Sequence, residues 1–157
     1  MRIDSEWPAT SSIQVPWPSC TNLKLDRRKW RHLFREPNRS IIISRLTVVE
    51  INSVFARRTR MGDLTAVDAT SLRNHFLNDI ASGAFTVVAV TDGHYSEAER
   101  LIIRYGMTEN LRTLDALQLA VALDVHRRGP LNSMLVADRT LVGVAAAEGL
   151  SVTNPEI

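Results

Sequence analysis

After residue 40, hydrophobic positions fall into two kinds of run that alternate along the chain. Three short blocks, Ile41-Ile42-Ile43, residues 85–90 (Phe-Thr-Val-Val-Ala-Val) and residues 134–137 (Met-Leu-Val-Ala), are apolar without alternation, as strands covered on both faces must be. Between them the apolar period lengthens to that of a helix. Residues 46–60 carry Val48, Ile51 and Phe55 on one stripe, with Ser44 ahead as a cap and Gly62 behind as a stop. Residues 64–80 read as a second helix closed by Ser82-Gly83, and residues 92–105 as a third behind the capping candidate Thr91. Residues 114–123 are apolar nearly all round, which predicts a central buried helix with Thr113 as its N-cap and Gly129-Pro130 as its end. Residues 139–148 form a last helix and residues 150–153 a closing strand. Strands that alternate with helices predict an α/β fold with a mainly parallel sheet, whose ligands gather beyond the carboxyl ends of the strands.

The front of the chain departs from this rhythm. Residues 1–22 hold two of the three tryptophans and three of the six prolines, and show neither strand nor helix period. They are expected to form an atypical, poorly packed segment ahead of one domain spanning residues 23–157. Residues 26–35 read as a basic helix around Trp30, Leu33 and Phe34 that Pro37 stops.

Composition narrows the classes. A chain of 157 residues suits one domain with a real core, and 45% apolar with 23% charged residues is ordinary globular usage. The net charge of +2 gives no global pull towards polyanions, so a nucleic-acid site must be a local patch. Cys20 is the single cysteine, which excludes an intrachain disulfide and a thiolate zinc site and fits a reducing cytoplasm. The longest uncharged run, residues 7–23, contains Pro8, Pro16 and Pro18 and suits neither a membrane span nor a signal-peptide core. His32, His75, His94 and His126 are scattered, and the glycines build no phosphate loop.

Three acids stand out against this background: Glu50, Asp115 and Asp138. Each has an ordinary alternative. Asp138 ends a strand and starts a helix, where Asp is among the commonest caps. Asp115 sits in a first helical turn, where the helix dipole favours a carboxylate, but it heads an apolar helix, where a solvated role is harder to arrange. Glu50 flanks an apolar stripe, where a solvated face is the usual reading. Brought together, carboxylates repel, so one of them protonates or a cation joins them. Mg2+, a hard ion that takes oxygen ligands and keeps several waters, is the natural third party.

The stretches Ser44-Arg45-Leu46-Thr47-Val48-Val49-Glu50, Arg112-Thr113-Leu114-Asp115-Ala116-Leu117-Gln118-Leu119-Ala120, Ala137-Asp138-Arg139-Thr140-Leu141 and residues 148–155 (Glu-Gly-Leu-Ser-Val-Thr-Asn-Pro) keep an order and spacing that resemble a PIN domain. The likeness is greatest to the VapC-type toxin ribonucleases of toxin–antitoxin pairs. The resemblance implies a three-layer α/β/α sandwich with a central parallel sheet, and Mg2+- or Mn2+-dependent endonucleolytic cleavage of RNA. It also implies a homodimer held inactive by a cognate antitoxin, with no membrane association. The family's second, third and fourth acids map onto Glu50, Asp115 and Asp138, and Thr113 onto a hydroxyl position near the site. Gln118 stands where relatives often have histidine. The family's first acid ends an N-terminal strand; here Asp4 is a partial match, and spacing from Trp30 and Glu50 instead puts Ala9 in that place.

Metal-assisted hydrolysis is therefore expected, with Glu50, Asp115 and Asp138 as the ion's cage and Asp4 as a fourth candidate. The basic residues 27–39 and the helix end Arg57, Arg58 and Arg60 are candidates to track an RNA backbone. Two rival readings stand beside this one. The first is a catalytically impaired PIN module that binds RNA or an antitoxin, and the second a hydrolase with Asp138 as nucleophile.

Overall fold

The computed structural model describes residues 11–14, 39–129 and 131–154. Five strands, β1 (Ser11–Gln14), β2 (Arg39–Ser44), β3 (Phe85–Val88), β4 (Leu131–Leu135) and β5 (Val152–Thr153), make one sheet of order β3-β2-β1-β4-β5 in which each pairing is parallel. The described helices are α1 (Arg45–Arg60), α2 (Ala66–Ala81), α3 (Asp92–Tyr105), α4 (Thr113–Arg128) and α5 (Arg139–Ala147).

Neighbouring residues of a strand point to opposite faces, and β4 shows which helices lie on which side. Leu135 packs into a cluster with Ile41, Ile43 and Val48, to which Phe76 and Ile80 of α2 add. Met134 and Val136 join the other cluster, with Leu101 of α3, Leu119 of α4 and Val144 of α5. So α1 and α2 cover one face and α3, α4 and α5 the other, which is the expected three-layer sandwich. The buried, unalternating strands follow from that double cover.

Local chemistry sets the helix ends. Ser44 is extended and its hydroxyl accepts the Thr47 N–H at 3.1 Å, capping α1. Gly62, at φ 81°, reverses the chain after α1, a backbone conformation that costs glycine nothing. Thr91 precedes α3, and its backbone N–H donates to Nδ1 of the buried His94 at 3.0 Å. Residues 116–123 of α4 are buried without exception, as their all-round apolarity predicts.

Two expectations need correction. Residues 11–14, read as part of a segment without strand period, form the middle strand of the sheet, hydrogen-bonded to β2 on one side and β4 on the other. Ser-Ser-Ile-Gln lacks the apolar run by which buried strands are recognised, and only pairing on both edges identifies it. Thr113 is not the N-cap of α4 but its first residue; Arg112 holds the extended cap position without a side-chain cap bond, and its carbonyl accepts the Ala116 N–H at 2.9 Å. The remaining differences are shifted element ends: β2 is longer than read, β4 starts three residues earlier and stops sooner, β3 and β5 are shorter, and α2 begins at Ala66. Residues 1–10 and 15–38, including the expected basic helix, lie outside the described residues. No described helix is long and apolar enough to cross a membrane.

Candidate active site

The strand order reverses between β1 and β4: the chain steps outward through β2 and β3, then returns to the other side of β1 for β4 and β5. Open α/β sheets form their ligand crevice at such a reversal, outside the carboxyl ends of the strands. Three helix starts meet this edge. Ser44 ends β2 and caps α1, Asp138 follows β4 and caps α5, and α4 opens with Asp115 in its first turn.

The acids are coupled through Asp115. Burial pushes the Asp115 carboxyl above its usual range, the negative charge of Asp138 pushes it further, and the Arg112 guanidinium opposes both. Burial likewise raises the Glu50 carboxyl; a hydrogen bond from Gln118 works against that rise, and the charge of Asp115 adds to it. All three acids are half-buried. Asp138 does serve as a helix cap, with Oδ1 accepting the Leu141 N–H at 3.0 Å, so the ordinary reading and the site reading hold together.

Among the described residues, no three His, Cys, Asp or Glu side chains are grouped closely enough to hold one ion. Glu50, Asp115 and Asp138 are linked in pairs through Asp115, whose charge acts on Glu50 and on which the charge of Asp138 acts. Their donor chemistry still suits a hard divalent cation, since all the available groups are carboxylate oxygens and such ions complete their shell with water. Asp4 lies outside the described residues.

The structure adds a polar cluster behind Glu50. Gln118, 2% exposed, sends Nε2 to Glu50 Oε2 at 2.8 Å and to Thr47 Oγ1 at 3.0 Å, and its Oε1 accepts from Ser44 Oγ at 2.7 Å. A signal for this cluster exists in the sequence: Gln118 is the one polar residue in the apolar body of α4 between Ala116 and Leu123. A second addition is a set of exposed arginines at the same helix starts, Arg45, Arg112 and Arg139. Thr113 is exposed beside them.

The helix-end arginines lie elsewhere. At 1.5 Å of rise per residue, Arg57, Arg58 and Arg60 sit about 10–15 Å along α1 beyond Glu50. Arg57 and Arg58 are also half-buried and engaged in interactions of their own. Of the basic residues 27–39, those from 27 to 38 lie outside the described residues.

Residues 24–131, well over half of the chain, match the PIN domain family. No curated protein matches the chain. The family match begins after β1, so the middle strand and the residues that follow it up to 23 fall outside it.

Proposed function

The chain belongs to the PIN domain family, and on that premise we propose that it is a divalent-metal-dependent endoribonuclease, the toxin of a VapBC-type pair restrained by a cognate antitoxin. PIN domains are generally nucleases and usually use divalent metals. The observation that carries the reading is the Asp115 carboxyl, held above its usual range between burial and the charge of Asp138 at the reversal of the sheet. Perturbed carboxyls concentrate at functional sites, and this one lies where open α/β sheets form their ligand crevice.

In this reading Glu50 and Asp115 offer oxygens to Mg2+ or Mn2+, and Asp138 adds negative charge from the α5 cap. When bound, the ion supplies an activated water and neutralises charge on the scissile phosphate. Gln118 holds the Glu50 carboxylate in place, and Arg45, Arg112 and Arg139 attract the substrate's phosphates to the rim. Because Arg112 lowers the proton affinity of Asp115, it also helps keep that carboxylate ionised.

One observation favours the impaired-module alternative. Residues 15–25, which follow β1, contain no Asp or Glu, so the strand in the middle of the sheet is followed by no acid of its own. Cleavage of a labelled single-stranded RNA by the purified protein, with Mn2+ and then with excess EDTA, decides between the two. The nuclease reading expects cleavage with the ion and none in chelator. Undiminished cleavage in EDTA sinks the metal mechanism, and RNA binding without cleavage under any divalent ion selects the impaired module.

A further inference from the structure

We propose that Gln118 is a positioning residue for Glu50: clamped by Ser44 and Thr47, it fixes one oxygen of the carboxylate and leaves the other for a divalent cation. The inference deepens the metal-dependent reading above and rests on it.

The clamp is built from buried groups. Ser44 and Thr47 are 0% exposed and Gln118 is 2% exposed, yet Glu50, which they reach, is only half-buried at the edge of the site. Hydrogen-bond direction within the cluster follows from the amide's contacts. Ser44 Oγ accepts the Thr47 N–H as the α1 cap, so its own hydrogen is available to Gln118 Oε1 at 2.7 Å. With its oxygen turned to Ser44, the amide presents its nitrogen to Thr47 Oγ1 at 3.0 Å and to Glu50 Oε2 at 2.8 Å. Thr47 Oγ1 lies 3.1 Å from Ser44 Oγ, which closes the ring. A rotated amide would set its oxygen against the Glu50 carboxylate, oxygen facing oxygen, so the ring favours the orientation with the nitrogen on Glu50.

The consequence for Glu50 is geometric. An amide nitrogen offers only hydrogens, so Oε2 is held as an acceptor. The other oxygen, Oε1, takes no part in the clamp. Partners of this kind around a metal ligand typically change metal affinity 10- to 100-fold when removed, because they set the ligand's orientation.

Two measurements test the proposal. The first needs no metal: the side-chain amide resonances of Gln118 are recorded in the wild-type protein and in Glu50→Ala. They are expected to move towards the position of an amide without an acidic acceptor, and unchanged resonances overturn the proposal. The second is Mn2+ affinity in Gln118→Met, which keeps length and loses the donor, in Glu50→Ala, and in the double variant. Gln118→Met is expected to weaken Mn2+ binding about 10-fold in the parent and to add nothing in Glu50→Ala. Equal loss in both backgrounds means a merely structural role, and no loss in the parent also overturns the proposal. Gln118→His, which restores a ring N–H, is expected to recover most of the affinity. If the parent binds no Mn2+, the metal-dependent function fails by itself, and the amide resonances still decide the Gln118 contact.

Discussion

Asp138 raises the proton affinity of Asp115 from across the gap between two helix starts. The two residues are 23 positions apart (138 − 115) and belong to different elements, the cap of α5 and the first turn of α4. Their proximity is a product of the sheet: β4 delivers Asp138 to the edge at which α4 begins. Each residue satisfies a local rule, the cap and the dipole, and together they create a repulsion that neither rule contains.

Burial first, and that repulsion second, make the Asp115 carboxyl legible as stability. With its folded-state affinity raised, Asp115 keeps a proton in the folded chain at pH values where the unfolded chain has already lost it. The folded state then binds more protons, so stability falls as pH rises from the ordinary carboxylate range, near pH 4, through the raised value. Asp115→Asn removes the charge and is expected to stabilise the protein at neutral pH by roughly 1 kcal/mol, as changes at strained functional sites do. The gain should vanish near pH 4, where the parent is protonated too. Thermal midpoints of parent and variant between pH 4 and 8 check this; a constant difference across that range would mean that charge is not the cause.

The arginine rim gives a prediction about substrate. Cations are disfavoured at helix N-termini, yet Arg45, Arg112 and Arg139 all stand there, exposed. Replacing any one with alanine is expected to weaken single-stranded RNA binding and to flatten its salt dependence by about 0.7 per arginine. Arg60→Ala, at the far end of α1, should leave the slope as it is. Salt titrations of binding to a fluorescent oligonucleotide distinguish the two sets, and an unchanged slope in all three rim variants would remove them from the interface.

The middle strand suggests where an added acid should act. β1 is Ser11–Gln14, and Val15 and Pro16 are the next residues in sequence, whereas Ala9 comes before the strand. Val15→Asp or Pro16→Asp is expected to tighten Mn2+ binding and raise cleavage, by up to about 100-fold if positioning is what limits the parent. Ala9→Asp should do neither. Activity gained with Ala9→Asp alone would contradict the strand assignment.

A structural prediction concerns Glu148, away from the site. Its side chain, 10% exposed, receives Arg100, Arg104 and the Tyr105 hydroxyl, the last at 2.7 Å, and so ties α3 to the end of α5. Burial alone would raise this carboxyl, but the bonds from Arg100 and Tyr105 hold it below its usual range. Its contribution is therefore present above the ordinary carboxylate range and lost as pH falls below it. Glu148→Ala is expected to cost about 1–3 kcal/mol at neutral pH, with a smaller loss from Tyr105→Phe. Chemical denaturation at pH 7 reads both, and a midpoint unchanged by Glu148→Ala would show the cluster to be solvent-screened.

The sequence by itself determined the alternation of elements, the double-covered strands, the ends of α1 and the burial of residues 116–123, because hydrophobic period and cap chemistry are local and each is set by a few adjacent residues. It also singled out Glu50, Asp115 and Asp138 as acids at the edges of elements. Only the tertiary structure decided that Ser11–Gln14 is the middle strand, since its identity comes from two neighbours rather than from its own side chains. The same holds for the coupling of the acids through Asp115, and for the bond between Gln118 and Glu50, which spans 68 positions. Charge and hydrogen bonding act through space over a few ångströms, and which residues come that close is fixed by the order of strands in the sheet.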